Sequence, residues 1–449
     1  MKKLIGKKDI LNGNISEQIL LFTIPVCGSY LIQQLYQIVD FIVLGRFAGV
    51  EAMAAVGGSA SMIINVLLNI ISGIATGSMV VVAQSYGRGN HEKVYDAVKT
   101  SIFIAIVFGG IISILSAILT TPLLQVMKCP QDTIGLSKIY MYSYFVGIIP
   151  YTIYQFGIYI LRASGDTKIS TLFTIIIAIT KIVLDILLTA ILHLGVWGVS
   201  ISTVVSYLIC GVVVLLILQK TPNTYQYSIK DFGFDLQTMK NIFKVGIPVA
   251  VQSAVFAVTN ALISVRINEF GTNAIAGFSA YNNVDNFYWS FTNALGAAIV
   301  TITGQNYGNK NMERVKSTLK HGIIIHVIAS VIIGGSMYVF GKQILSIFTT
   351  SQEVINVAYS MLKVVTVSYS TYILVEMISS SIKGCGDSMN SMIIAIIGIC
   401  VVRLSYLTLF KFSDVKQIIL CYPISWSVTS IIYLIYYLSN KKYRLTKNN

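Results

Sequence analysis

The sequence predicts an all-α integral membrane protein with twelve transmembrane helices in two six-helix lobes related by pseudo-twofold symmetry. Three observations carry that expectation. The first is composition: 55% hydrophobic against 11% charged residues, with a mean hydropathy of +0.74, would leave a water-facing surface mostly apolar, so the solvent must be lipid. The second is a recurrence of apolar runs of about 20 residues, the length that crosses roughly 30 Å of hydrocarbon as a helix. The third is an internal repeat. QSYGRGNHEKV begins at Gln84 and QNYGNKNMERV at Gln305, while LRASGDT begins at Leu161 and IKGCGDS at Ile382, so both pairs stand 221 residues apart. Matching blocks at one constant offset, each beside long apolar runs, mean that one membrane-embedded half was duplicated and fused.

The first run, 15–41, carries Pro25 and Asp40 and follows KKLIGKKD. It has full spanning length and no small-residue cleavage site, so no signal peptide is expected. Runs at 51–82 and 94–120 flank the first QSYGRGN block, runs at 135–160 and 168–192 flank LRASGDT, and 195–219 closes the first half. The polar stretch QKTPNTYQYSIKDFGFDLQT then reads as a linker. The expected organisation is an N-terminal lobe at 1–219, a cytoplasmic interlobe linker at 220–238 and a C-terminal lobe at 239–449. The second half repeats the order at 239–268, where Pro248 lies, then 275–303, 314–340, 355–382, 388–410 and 415–438. Strands are excluded, because no ten-residue alternation occurs and open sheet edges cannot face lipid. Six spans return each copy to the side where it began, so the copies insert in the same orientation about an axis along the membrane normal, with a cleft expected between them.

A net charge of +14 invites a nucleic-acid reading, and the placement of the charges decides against it. With a cytoplasmic N-terminus, 22 of the 32 Lys and Arg fall on the inner side, led by Lys2, Lys3, Lys7 and Lys8, with seven on the outer side and three within spans. That is the positive-inside bias, in short stretches bracketed by spans, and no nucleic-acid partner is expected. The six cysteines form no CxxC pair, and the four histidines do not cluster, so no disulfide framework, metal set or cofactor follows. No glycine loop ending in GK[ST] occurs, which excludes ATP-driven transport in this chain. Nor is there a nucleophile with a base: the chain is not read as an enzyme.

The repeated blocks have a local structural account. Gly87 and Gly308 suit helix C-termini, Asn90 and Asn311 suit caps of the helices that follow, and Gly165-Asp166 and Gly386-Asp387 end one helix and cap another. Pro25 and Pro248 each remove an i to i−4 hydrogen bond and kink the helix that opens each half. A static kink and a working hinge are both open readings there.

QQLYQIVDFIVLGRFAGVEAMAAVG at 33–57, the VAQSYGRGN and LRASGDT blocks, KIVLDILLTAILHLGVWGVSISTV at 181–204, ITGQNYGNKN and the CVVRLSYL run around Arg403 resemble the multidrug and toxic compound extrusion (MATE) family over nearly the whole chain. The resemblance implies a V-shaped antiporter that exports organic compounds against an inward flow of protons or sodium ions. It also implies a multi-pass monomer in the bacterial cytoplasmic membrane, with both termini cytoplasmic, a small-molecule substrate and the lipid bilayer as its surroundings.

Charged side chains at mid-bilayer cost about 2.5–3.5 kcal/mol each on insertion scales, so those that persist are functional candidates. In the first half these are Asp40, Lys181 and Asp185, with the hydroxyl of Thr203 at comparable depth. Lys181 and Asp185, four residues apart, share a helical face. That pair alone could merely neutralise itself for insertion. One lysine cannot neutralise two carboxylates, however, so a cluster with Asp40 carries net −1 when fully ionised and zero with one proton bound, a proton that belongs to the cluster. The resemblance places the family's first-lobe ion site at Asp40, Asp185 and Thr203, with one departure: an asparagine usually stands where this chain has Lys181. A tethered ammonium occupies the space that a sodium ion needs, so the expected coupling ion is H+, with Na+ as the alternative.

The second half carries Asp285, Lys363, Glu376 and Arg403 within its spans, and Arg266 with Glu269 near the outer end of its first helix. Asp285 and Arg403, both in outer halves, are candidates to pair, and Glu376 is placed to snorkel toward water. Aromatic side chains on the first, fourth, seventh and eighth spans include Tyr36, Tyr151, Tyr154, Tyr159 and Phe256, followed by Tyr281, Phe287, Tyr288 and Trp289. Ring faces with an acidic pocket suit a lipophilic organic cation, although interfacial belts and packing also use such residues. Tyr36, Tyr154, Asp285 and Arg403 are the substrate-cavity candidates. A flippase of lipid-linked saccharides on the same architecture is the alternative cargo reading, kept open by Lys181, Lys363 and Arg403.

Overall fold

A computed structural model describes residues 10–127, 129–220, 226–440 and 443; the N-terminal lysines 2, 3, 7 and 8 and linker positions 221–225 lie outside the described residues. Among the described residues there are helices and connecting turns and no strand. In chain order the spans are α1 (Ile15–Phe47), α2 (Glu51–Gly87), α3 (His91–Val126), α4 (Gln131–Val146 with Ile148–Ala163), α5 (Thr167–Ile191) and α6 (Val196–Lys220). They continue as α7 (Leu236–Asn268), α8 (Thr272–Gly308), α9 (Met312–Leu345), α10 (Gln352–Gly384), α11 (Ser388–Leu409) and α12 (Val415–Ser439). Ten are long and apolar enough to cross a bilayer, and α4 makes an eleventh, bent by 51° at its break. The bend has a local cause: Pro150, three residues past Gly147, has no N–H to give the preceding turn. α8, at 37 residues, has ample length but carries Asn282, Asn283, Asp285 and Asn286, and it is the most polar of the twelve.

The repeated blocks behave as local clips. Asn90 accepts from the Lys93 amide at 3.0 Å, Asn311 from the Arg314 amide at 3.0 Å, and Asp166 from the Ile169 amide at 3.4 Å. Gly87 and Gly308 are the last helical residues of α2 and α8. The left-handed backbone comes two residues later, at Gly89 (φ 69°) and, in the second copy, at Lys310 (φ 58°). Asp387 departs from the expected cap: its carboxylate accepts from the hydroxyls of Tyr436 at 2.6 Å and Tyr443 at 3.1 Å in place of a backbone amide. Both phenols reach Oδ2, and Oδ1 accepts from Asn390 Nδ2 at 2.9 Å, so neither oxygen is left for the amide.

The chain forms two compact units, one of Gly28–Ala250 and the other of Val251–Asn449 joined by the start of the first helix up to Cys27. These bounds differ from a division at the linker, since the start of α1 belongs with the second unit and the start of α7 with the first. Each helix changes unit two residues after its proline, Pro25 or Pro248. Within the first unit the start of α7 is seated by glycines. A Cβ on Gly73 would lie 2.3 Å from the Ala250 Cα, one on Gly77 2.3 Å from the Ile242 carbonyl oxygen, and one on Gly246 2.9 Å from the Ile74 Cα. Backbone meets backbone there, the small-xxx-small solution to helix packing where lipid supplies no hydrophobic drive.

In the second unit the segment before α1 is held by Arg314, whose Nη2 donates to the carbonyls of Ile10 (3.1 Å) and Gly13 (2.9 Å). In the first unit the segment before α7 is pinned to α3. The Asp235 amide donates to Thr100 at 3.0 Å, and Asp235 caps α7 by accepting from the Thr238 amide (2.8 Å) and hydroxyl (2.6 Å). Those two bonds hold the Asp235 carboxyl below its ordinary range.

Replacing Gly77 with valine is expected to force α7 off α2 and destabilise the protein by about 1–3 kcal/mol, the usual cost of overpacking. Thermal unfolding of the purified variant in detergent checks this, and an unchanged Tm would mean that the close approach is absent.

Candidate ion site and the buried charges of each unit

In the first unit, α1 delivers Asp40 and α5 delivers Lys181 and Asp185 to one point. The Lys181 ammonium lies 2.9 Å from Asp40 Oδ2 and 3.2 Å from Asp185 Oδ2. Lys181 and Asp185 are buried, while the Asp40 side chain keeps 17% exposure. The second Asp185 oxygen accepts a hydrogen bond from the hydroxyl of Ser202 on α6. Asp40 Oδ1 is buried with no hydrogen-bond partner among the described residues. The i, i+4 spacing on α5 accounts for the Lys181–Asp185 pair. Directly after Asp185 the helix widens into a π-turn at Ile186–Ile191, a distortion that recurs at functional sites.

Thr203 is brought close but makes no direct bond to the cluster: its hydroxyl donates to the Val199 carbonyl of its own helix at 2.8 Å. Its neighbour Ser202 reaches the carboxylate instead. One residue along a helix is a rotation of about 100°, and depth alone does not reveal which hydroxyl points inward.

A cage of tyrosines stands beside the cluster. Tyr151 and Tyr207 pack edge to face at 4.9 Å, Tyr154 and Tyr207 stack at 6.5 Å, and Tyr144 contacts Tyr207 at 6.3 Å. Buried Tyr36, one turn before Asp40, lies beside Tyr207, Tyr154 and Asp40, and Tyr140 lies beside both carboxylates. Of these, Tyr140, Tyr144 and Tyr207 escape the sequence reading. Tyr207 stands four residues after Thr203, so the one-face spacing of a helix was the available signal. Toward the other end of α4, Arg162 is buried with its guanidinium 5.5 Å from the Tyr30 ring and 5.6 Å from the Tyr159 ring. It too escapes the sequence reading, since LRASGDT reads as a turn.

The second unit is built differently. Asp285 accepts from three neutral donors: Tyr369 Oη at 2.5 Å, Trp289 Nε1 at 2.7 Å and Tyr281 Oη at 3.1 Å. Arg403 donates to Asn260 Oδ1 at 2.8 Å and Ser425 Oγ at 3.4 Å, with its guanidinium 4.6 Å over the Tyr422 ring. The expected Asp285–Arg403 pair is therefore not formed. An aromatic layer intervenes, in which Trp289 contacts Trp426 at 5.9 Å and Trp426 contacts Tyr422 at 5.3 Å. Glu376 does not snorkel: it accepts from Tyr372 and Ser380, each at 3.1 Å, against Gly296, where a Cβ would lie 2.1 Å from its Oε1. Lys363 is exposed beside the Tyr359 ring. Arg266 pairs with Glu269 at 2.9 Å. Tyr288 stacks on Tyr369 at 3.5 Å and meets the buried His326 at 3.2 Å. Phe256 is half-buried and Phe287 exposed.

Eleven spans long and apolar enough to cross a bilayer, one of them bent, together with a duplicated half and charge clusters held inside each unit, are the architecture of a polytopic membrane transporter. The family model described as MatE matches residues 25–187 and 248–408, most of the chain, and the protein belongs to that family. Over 429 residues it is 26% identical to the probable multidrug resistance protein YoeA of Bacillus subtilis, covering 93% of this chain and 92% of that one. The probable multidrug resistance protein NorM of Thermotoga maritima is 24% identical over 409 residues, with 90% and 87% covered. Among solved structures, a MOP superfamily transporter from Pyrococcus furiosus superposes with a TM-score of 0.89 at 20% identity, covering 96% of this chain and 97% of that one. The likeness is one of fold.

Lys181→Met leaves two buried carboxylates facing each other without a counter-charge and is expected to cost about 3–5 kcal/mol. Lys181→Met combined with Asp185→Asn should recover most of that loss, which a double-mutant cycle on thermal unfolding would read.

Proposed function

We propose that the chain is a secondary active antiporter that exports lipophilic organic cations in exchange for protons. The observation that carries the reading is the convergence of Asp40 and Asp185 on the single ammonium of Lys181. Two carboxylates against one fixed cation leave one negative charge, which one proton cancels. Asp40 Oδ1, buried and unpartnered, is the oxygen to which we assign that proton. Lys181 already stands 2.9 Å and 3.2 Å from the two carboxylates, where a sodium ion would have to bind, which favours H+ over Na+. The tyrosine cage around Tyr36, Tyr154 and Tyr207 offers ring faces to a cationic cargo, and the names of the relatives as multidrug resistance proteins agree with such a substrate.

Proton and cargo then exclude each other. Protonation discharges the cluster, α1 bends about Pro25, and the lost negative charge releases the cation outward. Pro248 is the corresponding hinge in α7. Each proton moving inward contributes about 2.3 kcal/mol per 100 mV, enough for a substantial concentration ratio. In this reading the protein works as a monomer in a bacterial cytoplasmic membrane, both termini cytoplasmic, with lobes at 1–219 and 239–449 joined by the inner linker 220–238. It needs no cofactor beyond the coupling ion. Asp285 and Arg403 are the second lobe's candidates for contact with the substrate.

Asp40→Asn is expected to insert and fold normally yet to lose proton-driven efflux at least tenfold. Everted vesicles in sodium-free buffer with an imposed pH gradient measure it, with ethidium as cargo. Normal efflux by the variant, or wild-type efflux that starts only when sodium is added, would overturn the proton assignment. A host that gains no tolerance to ethidium or norfloxacin would point instead to a lipid-linked cargo.

A further inference from the structure

The two copies of the duplicated half differ at one equivalent helix face, and the difference exposes a site. In the first unit the face of α3 formed by Tyr95, Lys99 and Phe103 is covered by the segment that leads into α7. The Tyr95 hydroxyl donates to Asp231 Oδ2, the Lys99 side chain lies against Gly233, and the Phe103 ring stands 5.2 Å from Phe232 and 4.7 Å from Phe234. The cover is an acid joined to two apolar rings. The 221-residue offset carries the same three positions to Lys316, Lys320 and Ile324 of α9. There the face opens into a groove of about 600 Å3, with Leu319 and Ile323 in its floor and Tyr437 and Tyr443 on its far wall. Among the described residues, neither lysine forms an ion pair.

We propose that this groove binds an anionic phospholipid of the cytoplasmic leaflet, its phosphate between Lys316 and Lys320 and one acyl chain along α9. The lysines stand one turn apart at the end of the helix that the proposed topology places inside, where a basic pocket between spans meets anionic headgroups. Beyond them α9 presents Ile324, Val327, Ile328 and Val331, all exposed, a continuous apolar track into the bilayer. Tyr437 and Tyr443, stacked with centroids 5.4 Å apart, close the groove at the depth where aromatic rings meet headgroups. An acidic head joined to an apolar body is the chemistry that covers the equivalent face in the first unit. Both terminal segments outside the described residues are basic, with Lys2, Lys3, Lys7 and Lys8 at one end and Lys441, Lys442, Arg444 and Lys447 at the other, and would repel the lysine pair.

Native mass spectrometry of the full-length protein tests the site by titrating dioleoyl phosphatidylglycerol against dioleoyl phosphatidylcholine. Each lysine near an anionic headgroup contributes about fivefold, so Lys316→Gln with Lys320→Gln should weaken phosphatidylglycerol retention about thirtyfold. Phosphatidylcholine retention should stay unchanged, and the double arginine variant should bind as the wild type does. Ile324→Trp, which fills the groove and leaves both charges, should also release the lipid, and it supplies the answer should the glutamine variant fail to fold. Undiminished phosphatidylglycerol binding in either variant, or equal retention of both lipids by the wild type, would overturn the proposal. Displacement of the lipid by millimolar inorganic phosphate would also sink it, because the site would then serve a free anion. None of these readings depends on transport, so the antiport mechanism stands or falls separately.

Discussion

One ammonium shared by two carboxylates is the constraint around which the first unit is organised. In hydrocarbon an isolated ion is expensive, and a buried pair offsets its desolvation only with close geometry and further hydrogen bonds. Lys181 meets that demand for Asp185, which also takes the Ser202 hydroxyl, but only in part for Asp40, which keeps one buried oxygen without a partner. The imbalance is the chemically important feature. A fully satisfied cluster would be inert, whereas a cluster one charge and one hydrogen bond short has room for a proton.

The second unit solves the same problem of buried charge in the opposite way. Its carboxylate, Asp285, is solvated by two phenols and an indole, and its cation, Arg403, by an amide, a hydroxyl and a ring face. Keeping them apart requires the aromatic layer of Trp289, Trp426 and Tyr422, and the abundance of tyrosine in this chain has that use as well as interfacial anchoring. A duplicated architecture has thus come to hold a compact ionic cluster in one copy and two separated, neutrally solvated charges in the other. Neither copy is fully satisfied: Asp40 Oδ1 in the first and Arg403 Nε in the second are buried without a hydrogen-bond partner among the described residues.

Much of this was legible in the sequence, for identifiable reasons. Spans follow from the thickness of the hydrocarbon, the repeat from self-similarity, the caps at Asn90, Asn311 and Asp166 from their side-chain chemistry, and the Lys181–Asp185 pair from helical spacing. What escaped depends on rotation about a helix axis or on contacts between distant helices. Depth placed Thr203 near the acids, but helical rotation gave the contact to Ser202. Similar depth suggested that Asp285 and Arg403 would meet, yet three tyrosine and tryptophan donors reach the acid first. Sequence suggests a snorkelling Glu376 because Gly296, whose missing Cβ lets it turn inward, lies 80 positions away in the chain. The division into compact units was hidden for a related reason. Glycines at 73, 77 and 246 let the backbone of α7 sit against α2, and no composition shift marks that contact.

The proline helices tie these features together. An isolated proline in a span leaves one carbonyl without its partner, a defect that neighbouring groups must absorb or that bending can exploit. Here each proline falls two residues before its helix passes from one compact unit to the other, so the weakened turn lies where the helix has least continuous support from a single core. The segment leading into each helix is held firmly, by Arg314 before α1 and by the capping Asp235 before α7. In α1 Pro25 lies four helical turns from Asp40, about 22 Å along the axis, so the proposed mechanism requires a change of charge at the acid to be carried to that turn along the helix itself.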